Sequence, residues 1–287
     1  MEALIGKARL NVLMAMDNAQ SRLLRALDLM PRELKKPVYQ LYESRLRTQL
    51  RHDALPQHVA VLADGNRRWA RANAPGMPIA AGYQAGASKL KQFVTWCDEI
   101  GIPIVTLWVL STDNLRRSQD DELMPLLDVI VGLVEDLAQA RDYRIMVVGD
   151  LGLLPDGIAE ALRRVVEETE HRQGMHINVA VSYGGRHELT DAVRSLLAEE
   201  AARGTSLAEL AEHLEIDQIS EHLYTRGQPD PDLIIRTSGE QRLSGFLMWQ
   251  SAHSEFYFCE ALWPDFRKVD FYRALRDYEQ RERRYGK

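Results

Sequence analysis

The sequence predicts an α/β domain built on a mainly parallel sheet, and three observations carry that prediction. From residue 56 onward, short β-rich runs alternate with amphipathic helical stretches, as strand–helix–strand crossovers require. The chain has 287 residues, 45% apolar and 27% charged, enough to bury a substantial core without disulfide or metal staples. Polar and cationic clusters follow directly after several of the apolar runs, at the strand ends where such sheets bind ligands.

Taken in order, the chain opens with a helical leader. Ile5, Val12, Met16, Leu23 and Leu27 draw one apolar stripe, which Asp28-Leu29-Met30-Pro31 ends. A second helix is expected over 37–50, with Pro37 in its first turn and Val38, Leu41, Tyr42 and Leu46 on one side. Residues 1–51 therefore form a helical extension and residues 52–287 the main domain. Strands are expected at 58–63, 104–110, 144–149, 176–182, 232–236 and 255–258. Helices are expected at 86–100, where Leu90, Phe93, Val94 and Cys97 recur at helical spacing, and at 120–140, 156–173, 186–203 and 270–283. Gly227-Gln228-Pro229-Asp230-Pro231-Asp232 is a turn-rich approach to a strand.

Net charge is -6, unevenly spread. Residues 1–51 hold ten Lys and Arg against five Asp and Glu, a balance of +5, so the remainder carries -11. The acidic body argues against nucleic-acid binding. The basic leader suits packing on its own body or on a partner subunit, or peripheral contact with anionic lipid. The apolar run Val12-Leu13-Met14-Ala15-Met16 is too short for a signal core, and no segment is long enough to span a bilayer. A cytoplasmic protein is expected. Cys97 and Cys259 sit in apolar or aromatic segments without metal-ligand spacing and read as reduced core thiols.

Three clusters bear chemistry. Asp64-Gly65-Asn66-Arg67-Arg68-Trp69 follows an apolar run and opens a helix. Gly65 permits a tight turn, free N–H groups at the helix start suit an anion, and the arginines add charge-assisted bonds to phosphate. Asp64 would repel phosphate unless a divalent cation lay between them, and Mg²⁺ commonly uses one or two carboxylates with substrate phosphates. Taken alone, the cluster reads equally well as a polar turn capping a helix. Ser111-Thr112-Asp113-Asn114-Leu115-Arg116-Arg117 again places hydroxyls, an amide and cations at a strand's carboxyl end, with an N-cap and solvated turn as its plainer reading. In the third cluster a strand delivers Arg236 to its end, and a glycine-containing loop presents Arg242, Leu243 and Ser244 as substrate-binding candidates; the two arginines and the hydroxyl suit a second diphosphate. Glu255 follows as a candidate second carboxylate for metal.

Other chemistries are missing. No DDxxD pair is present, since Asp120-Asp121-Glu122 does not continue into one, and neither a P-loop nor GxGxxG occurs. The eight histidines show no HExxH or paired-ligand spacing, and His187 and His253 read as structural.

Together these segments resemble the undecaprenyl diphosphate synthase, or cis-prenyltransferase, family from about Pro56 to Gly286. His58-Val59-Ala60-Val61-Leu62-Ala63-Asp64-Gly65-Asn66, Ser111-Thr112-Asp113-Asn114 with Arg117, residues 232–244, residues 249–255, Trp263-Pro264-Asp265-Phe266 and Arg284-Tyr285-Gly286 occur in the family's order. The resemblance implies a single α/β domain with a six-stranded, mainly parallel sheet enclosing a hydrophobic tunnel, and a Mg²⁺-dependent homodimer. It implies an allylic diphosphate on Gly65, Asn66, Arg67, Arg68 and Trp69. Isopentenyl diphosphate would lie on Arg236, Arg242 and Ser244, helped by the partner's tail residues 284–286. Mg²⁺ would lie between Asp64 and Glu255, with Asn114 or the diphosphate itself assisting proton removal.

Departures from the pattern are Arg67 for a common Gly, Tyr83 for His, Ile79 for Arg, Leu115 for an aromatic, Gln241 for His, and Val109 for a smaller residue. As a set they resemble the actinobacterial short-chain branch, which makes (2Z,6E)-farnesyl diphosphate from a short allylic starter such as geranyl diphosphate. The alternatives are a long-chain polyprenyl diphosphate synthase, an enzyme of irregular coupling or aromatic prenylation, and a non-catalytic partner subunit. The last would lack the Asp-Gly-Asn and the arginines that this chain keeps.

Overall fold

The computed structural model describes residues 32–51, 54–117 and 119–281. They belong to two compact units, one ending at Gln49 and the other beginning at Leu50. In the first, helix α1 spans Arg32–Gln49. It begins one turn before the expected start, so Pro37 lies inside it and one backbone bond of its ladder has no donor. The leader stripe expected over residues 5–27 lies outside the described residues.

In the second unit, strands β1 (His58–Leu62), β2 (Ile104–Trp108), β3 (Arg144–Val148), β4 (His176–Ala180), β5 (Leu233–Arg236) and β6 (Glu255–Phe258) form one sheet in the order β3-β4-β2-β1-β5-β6. Every pairing is parallel. All six expected strands are present, each within two residues of its expected ends. β1 is buried at every residue, because a parallel sheet carries its crossover helices on both faces. That is why these strands read as continuous apolar runs.

The crossovers carry helices α2 (Asn66–Asn73), α3 (Ala80–Ile100), α4 (Met124–Ala140), α5 (Asp156–Thr169), α6 (Gly185–Arg203), α7 (Leu207–His213) and α8 (Ile216–Ser220), and α9 (Lys268–Gln280) follows the last strand. α3 buries Tyr83, Leu90, Phe93, Val94, Cys97 and Ile100 along one face. Its first turns, rich in Ala and Gly, extend beyond the stretch that large apolar residues mark. A π-helical turn, Gln119–Leu123, leads into α4. Above one face of the sheet, Ala60, Leu62, Val148, Ala180 and Ile234 pack with Tyr183, Phe246 and Leu247. Near the amino ends of the strands, His58 Nε2 bonds Thr106 Oγ1 at 2.7 Å, and Asn178 Nδ2 donates to Thr106 Oγ1 at 3.0 Å and to Gln228 Oε1 at 2.6 Å.

The chain leaves β1 toward β2 on one side, and leaves β5 toward β6 on the other. The carboxyl ends of β1 and β5 thus flank a topological switch point, where open α/β sheets form their binding crevice. Among the described residues, no helix is long and apolar enough to cross a membrane.

Candidate active site

A cleft of about 590 Å³ opens at that switch point. Arg67, Arg68, Arg71, Arg117, Arg236 and Arg242 line it, against the carboxylates Asp64 and Glu240. This excess of positive charge selects an anionic ligand.

β1 ends in Asp64 and Gly65. Gly65 turns the chain at φ 109° into α2, and a Cβ there would meet Leu262 at 2.9 Å. Asp64 Oδ2 accepts from Ser238 Oγ at 3.0 Å and lies 3.5 Å from Arg68 and 3.6 Å from Arg236. Its side chain keeps 46% of its exposure, so it faces the cleft. Asn66 Oδ1 is buried without a partner. Nearby, a Cβ on Gly82 would meet the Asn66 carbonyl at 2.3 Å.

Arg236, at the end of β5, is 5% exposed. Its Nη1 donates to Ser244 Oγ at 2.8 Å and to the Arg242 carbonyl. Burial lowers its pKa and the Asp64 carboxylate opposes that shift, so an arriving anion meets a cation already stripped of water. Arg242 is largely exposed and pairs with Glu240 at 2.9 Å.

Beyond β2, Ser111 leads into a 3₁₀ turn, Thr112–Arg116. Arg117 Nη2 donates to Asn114 Oδ1 at 2.7 Å and Nη1 to Tyr83 Oη at 3.2 Å. Burial lowers the Arg117 pKa and raises that of Tyr83. Glu122, from the π-helical turn, lies 3.5 Å from both Arg67 Nη1 and Tyr83 Oη.

The cleft therefore gathers Asp64, Gly65, Asn66, Arg67, Arg68, Tyr83, Ser111, Asn114, Arg117, Arg236, Arg242 and Ser244. Other expected residues fall outside its lining. Trp69 turns away and donates Nε1 to Asp265 at 2.8 Å. Thr112 sits against Gly184, Asp113 is exposed, and Leu243 packs against the core beneath the cleft.

Glu255 does not meet Asp64 within one chain. It starts β6, level with Val59, and three residues of strand put it about 10 Å short of the edge where Asp64 stands. It pairs instead with Arg281. Sequence reasoning missed Arg71, Glu240 and Glu122. Arg71 was accessible, being one helical turn beyond Arg67, whereas Glu122 depends on how the 119–123 turn folds over the cleft.

One carboxylate among arginines fits a divalent cation that takes its remaining ligands from a diphosphate. Among the described residues, no group of three acidic, His or Cys side chains forms a complete metal site.

An arginine-lined crevice at the switch point of a parallel sheet defines an α/β protein that handles phosphorylated ligands. The undecaprenyl diphosphate synthase family model matches residues 62–286, and the chain belongs to that family of prenyltransferases. It is 56% identical to a (2Z,6E)-farnesyl diphosphate synthase of Thermobifida fusca over 88% of this chain and 98% of that protein. It is 54% identical to one from Mycolicibacterium smegmatis over 91% and 100%. Among solved structures, lavandulyl diphosphate synthase from Lavandula x intermedia, in complex with dimethylallyl diphosphate, superposes with a TM-score of 0.74. It is 32% identical, covering 82% of this chain and all of that one.

Proposed function

We propose that this enzyme is a Mg²⁺-dependent cis-prenyltransferase that condenses geranyl diphosphate with isopentenyl diphosphate to (2Z,6E)-farnesyl diphosphate. The observation that carries this reading is the pair of cationic groups, Arg67–Arg68 and Arg236–Arg242, facing one cleft with Asp64 between them. Two diphosphates need two such cradles. The names of three relatives, 52%, 54% and 56% identical and each a (2Z,6E)-farnesyl diphosphate synthase, support the short product.

Arg67, Arg68 and the α2 amino end hold the allylic diphosphate. Arg236, Arg242 and Ser244 hold the acceptor's. Mg²⁺ held at Asp64 would offset the negative charge of the departing diphosphate. The bond between the allylic C1 and its oxygen breaks, and its electron pair leaves with diphosphate. The acceptor C4 bonds to C1, C2 loses a proton, and a cis double bond forms between C2 and C3. Asn114, held by Arg117 at 2.7 Å, orients that proton. A neutral amide is a poor base, so the departing diphosphate takes it.

The enzyme acts in the cytoplasm as a homodimer, in which the partner's tail and Glu255 reach the cleft. The edge strand β6, with Phe258 exposed, supports such pairing. Incubation of the purified protein with Mg²⁺, isopentenyl diphosphate and each allylic starter, followed by mass spectrometry, tests the reaction. A fifteen-carbon product is expected, and products of fifty carbons or more would overturn the short-chain reading.

A further inference from the structure

Beneath the cleft, Glu188 and Tyr183 are 1% and 0% exposed, and the reaction as described uses neither. Tyr183 Oη donates to Glu188 Oε2 at 2.5 Å and accepts from the Leu247 N–H at 3.1 Å. Glu188 Oε1 accepts from the Tyr224 N–H and from Gln250 Nε2, both at 3.0 Å. These three bonds tie the Glu188 carboxylate to Tyr183, Tyr224 and Gln250; burial raises its pKa and the three donors oppose that shift.

The loop so tied is the one that presents Arg242 and Ser244. It holds two non-glycine residues in the left-handed region, Ser244 at φ 52° and Leu247 at φ 45°, a conformation that persists only where surroundings enforce it. Besides the Arg236 bonds to Ser244 and the Arg242 carbonyl, two contacts come from the 183–185 segment. The Gly185 N–H donates to the Gly245 carbonyl at 2.9 Å, and the Tyr183 hydroxyl caps the Leu247 N–H. The Tyr183 backbone serves the other side of the cleft, its N–H donating to Leu110 O and its carbonyl accepting from Thr112 N–H. Tyr183 thus joins two segments beside the cleft, its backbone holding residues 110–112 and its hydroxyl holding Glu188 and the 242–247 loop.

We infer that Tyr183 and Glu188 are positioning residues for the acceptor diphosphate: their hydroxyl–carboxylate pair sets the 242–247 loop, and so the affinity for isopentenyl diphosphate, without touching ligand. The inference rests on the reading of Arg236, Arg242 and Ser244 as that subsite.

Tyr183→Phe removes the hydroxyl and keeps the ring and backbone. Steady-state kinetics with Mg²⁺, varying isopentenyl and geranyl diphosphate separately, are expected to show a five- to tenfold rise in KM for the first. KM for the second should stay within twofold and kcat within threefold. Glu188→Gln should shift the same KM in the same direction. Tyr224→Phe is the control for a merely structural loss. Its hydroxyl bonds Asp191 rather than the loop, and both KM values should stay within twofold whatever its Tm. A parallel rise in both KM values, an unchanged acceptor KM in folded Tyr183→Phe, or the same split in Tyr224→Phe would overturn the inference. If Tyr183→Phe does not fold, Gly185→Ala serves instead. Its Cβ would press the Gly245 carbonyl at 2.4 Å, and absence of the split there is equally decisive. A wild type without turnover overturns the acceptor reading itself, and the inference with it.

Discussion

Asp64 brings an acid to the point where arginines from α2 and β5 converge. Asp64→Ala is expected to lower kcat by about a thousandfold, the scale of losing one preorganised electrostatic contact. Stability should change by about 1 kcal/mol or less, because Asp64 is half exposed and Arg236 keeps Ser244 and the Arg242 carbonyl. Near-wild-type turnover at saturating Mg²⁺ would refute the metal assignment. Val109 lines the same cleft. Each added isoprene unit brings five carbons, a gain of about 4 kcal/mol on burial, against about 1–3 kcal/mol for overpacking one site. Val109 alone should therefore bias elongation rather than stop it, with neighbouring bulk such as Leu110 sharing the work; Val109→Ala is expected to shift the product distribution upward by at least one unit, read by mass spectrometry, and an unchanged distribution places the limit elsewhere. Residue type and order alone pointed to most of the polar lining. They failed at Trp69, which lies between cleft residues in sequence but turns a third of a helical circle away.

At the scale of elements, the site depends on how closely α2 crosses α3. Gly82 and Gly86 make that approach possible, since a Cβ on either would fall within 2.4 Å of an Asn66 oxygen. Gly82→Ala should force α2 outward and raise KM for the allylic diphosphate about tenfold. The overpacking costs about 2 kcal/mol, or roughly 4–8 °C in Tm, measurable by scanning fluorimetry. An unchanged KM would show that α2 can shift without moving its arginines. This crossing was not legible in the sequence. Large apolar residues mark α3 from Leu90 onward, but glycines at its start signal contact only once a partner helix is known.

Across the whole molecule, the buried His58–Thr106–Asn178 line fastens the central strands and links stability to pH. Burial lowers the His58 pKa from 6.5 to about 4. Between those values the unfolded chain binds more protons than the native state, so stability rises with pH. The contribution, about 3 kcal/mol, is complete above pH 6.5 and is lost as pH falls toward 4. Urea unfolding of wild type and His58→Gln at several values between pH 4 and 7 should give a flatter dependence for the variant; parallel curves would exclude His58 as the source. A composite site also belongs to this scale. Light scattering should show a dimer, and deletion of residues 284–287 should raise KM for isopentenyl diphosphate; an active monomer or an unchanged KM would exclude it.

By itself the sequence determined the strands, most helix cores and the residue types of the site, because period, turn chemistry and local order are written residue by residue. Only the tertiary structure decided that β1 and β5 are neighbours, which sets Asp64 beside Arg236 across more than 170 positions. It also placed Glu255 at the far end of its strand and Tyr183 against the 242–247 loop. Strand order and register are settled by packing of the whole sheet, so two residues equally polar in sequence can stand in the cleft or three residues short of it.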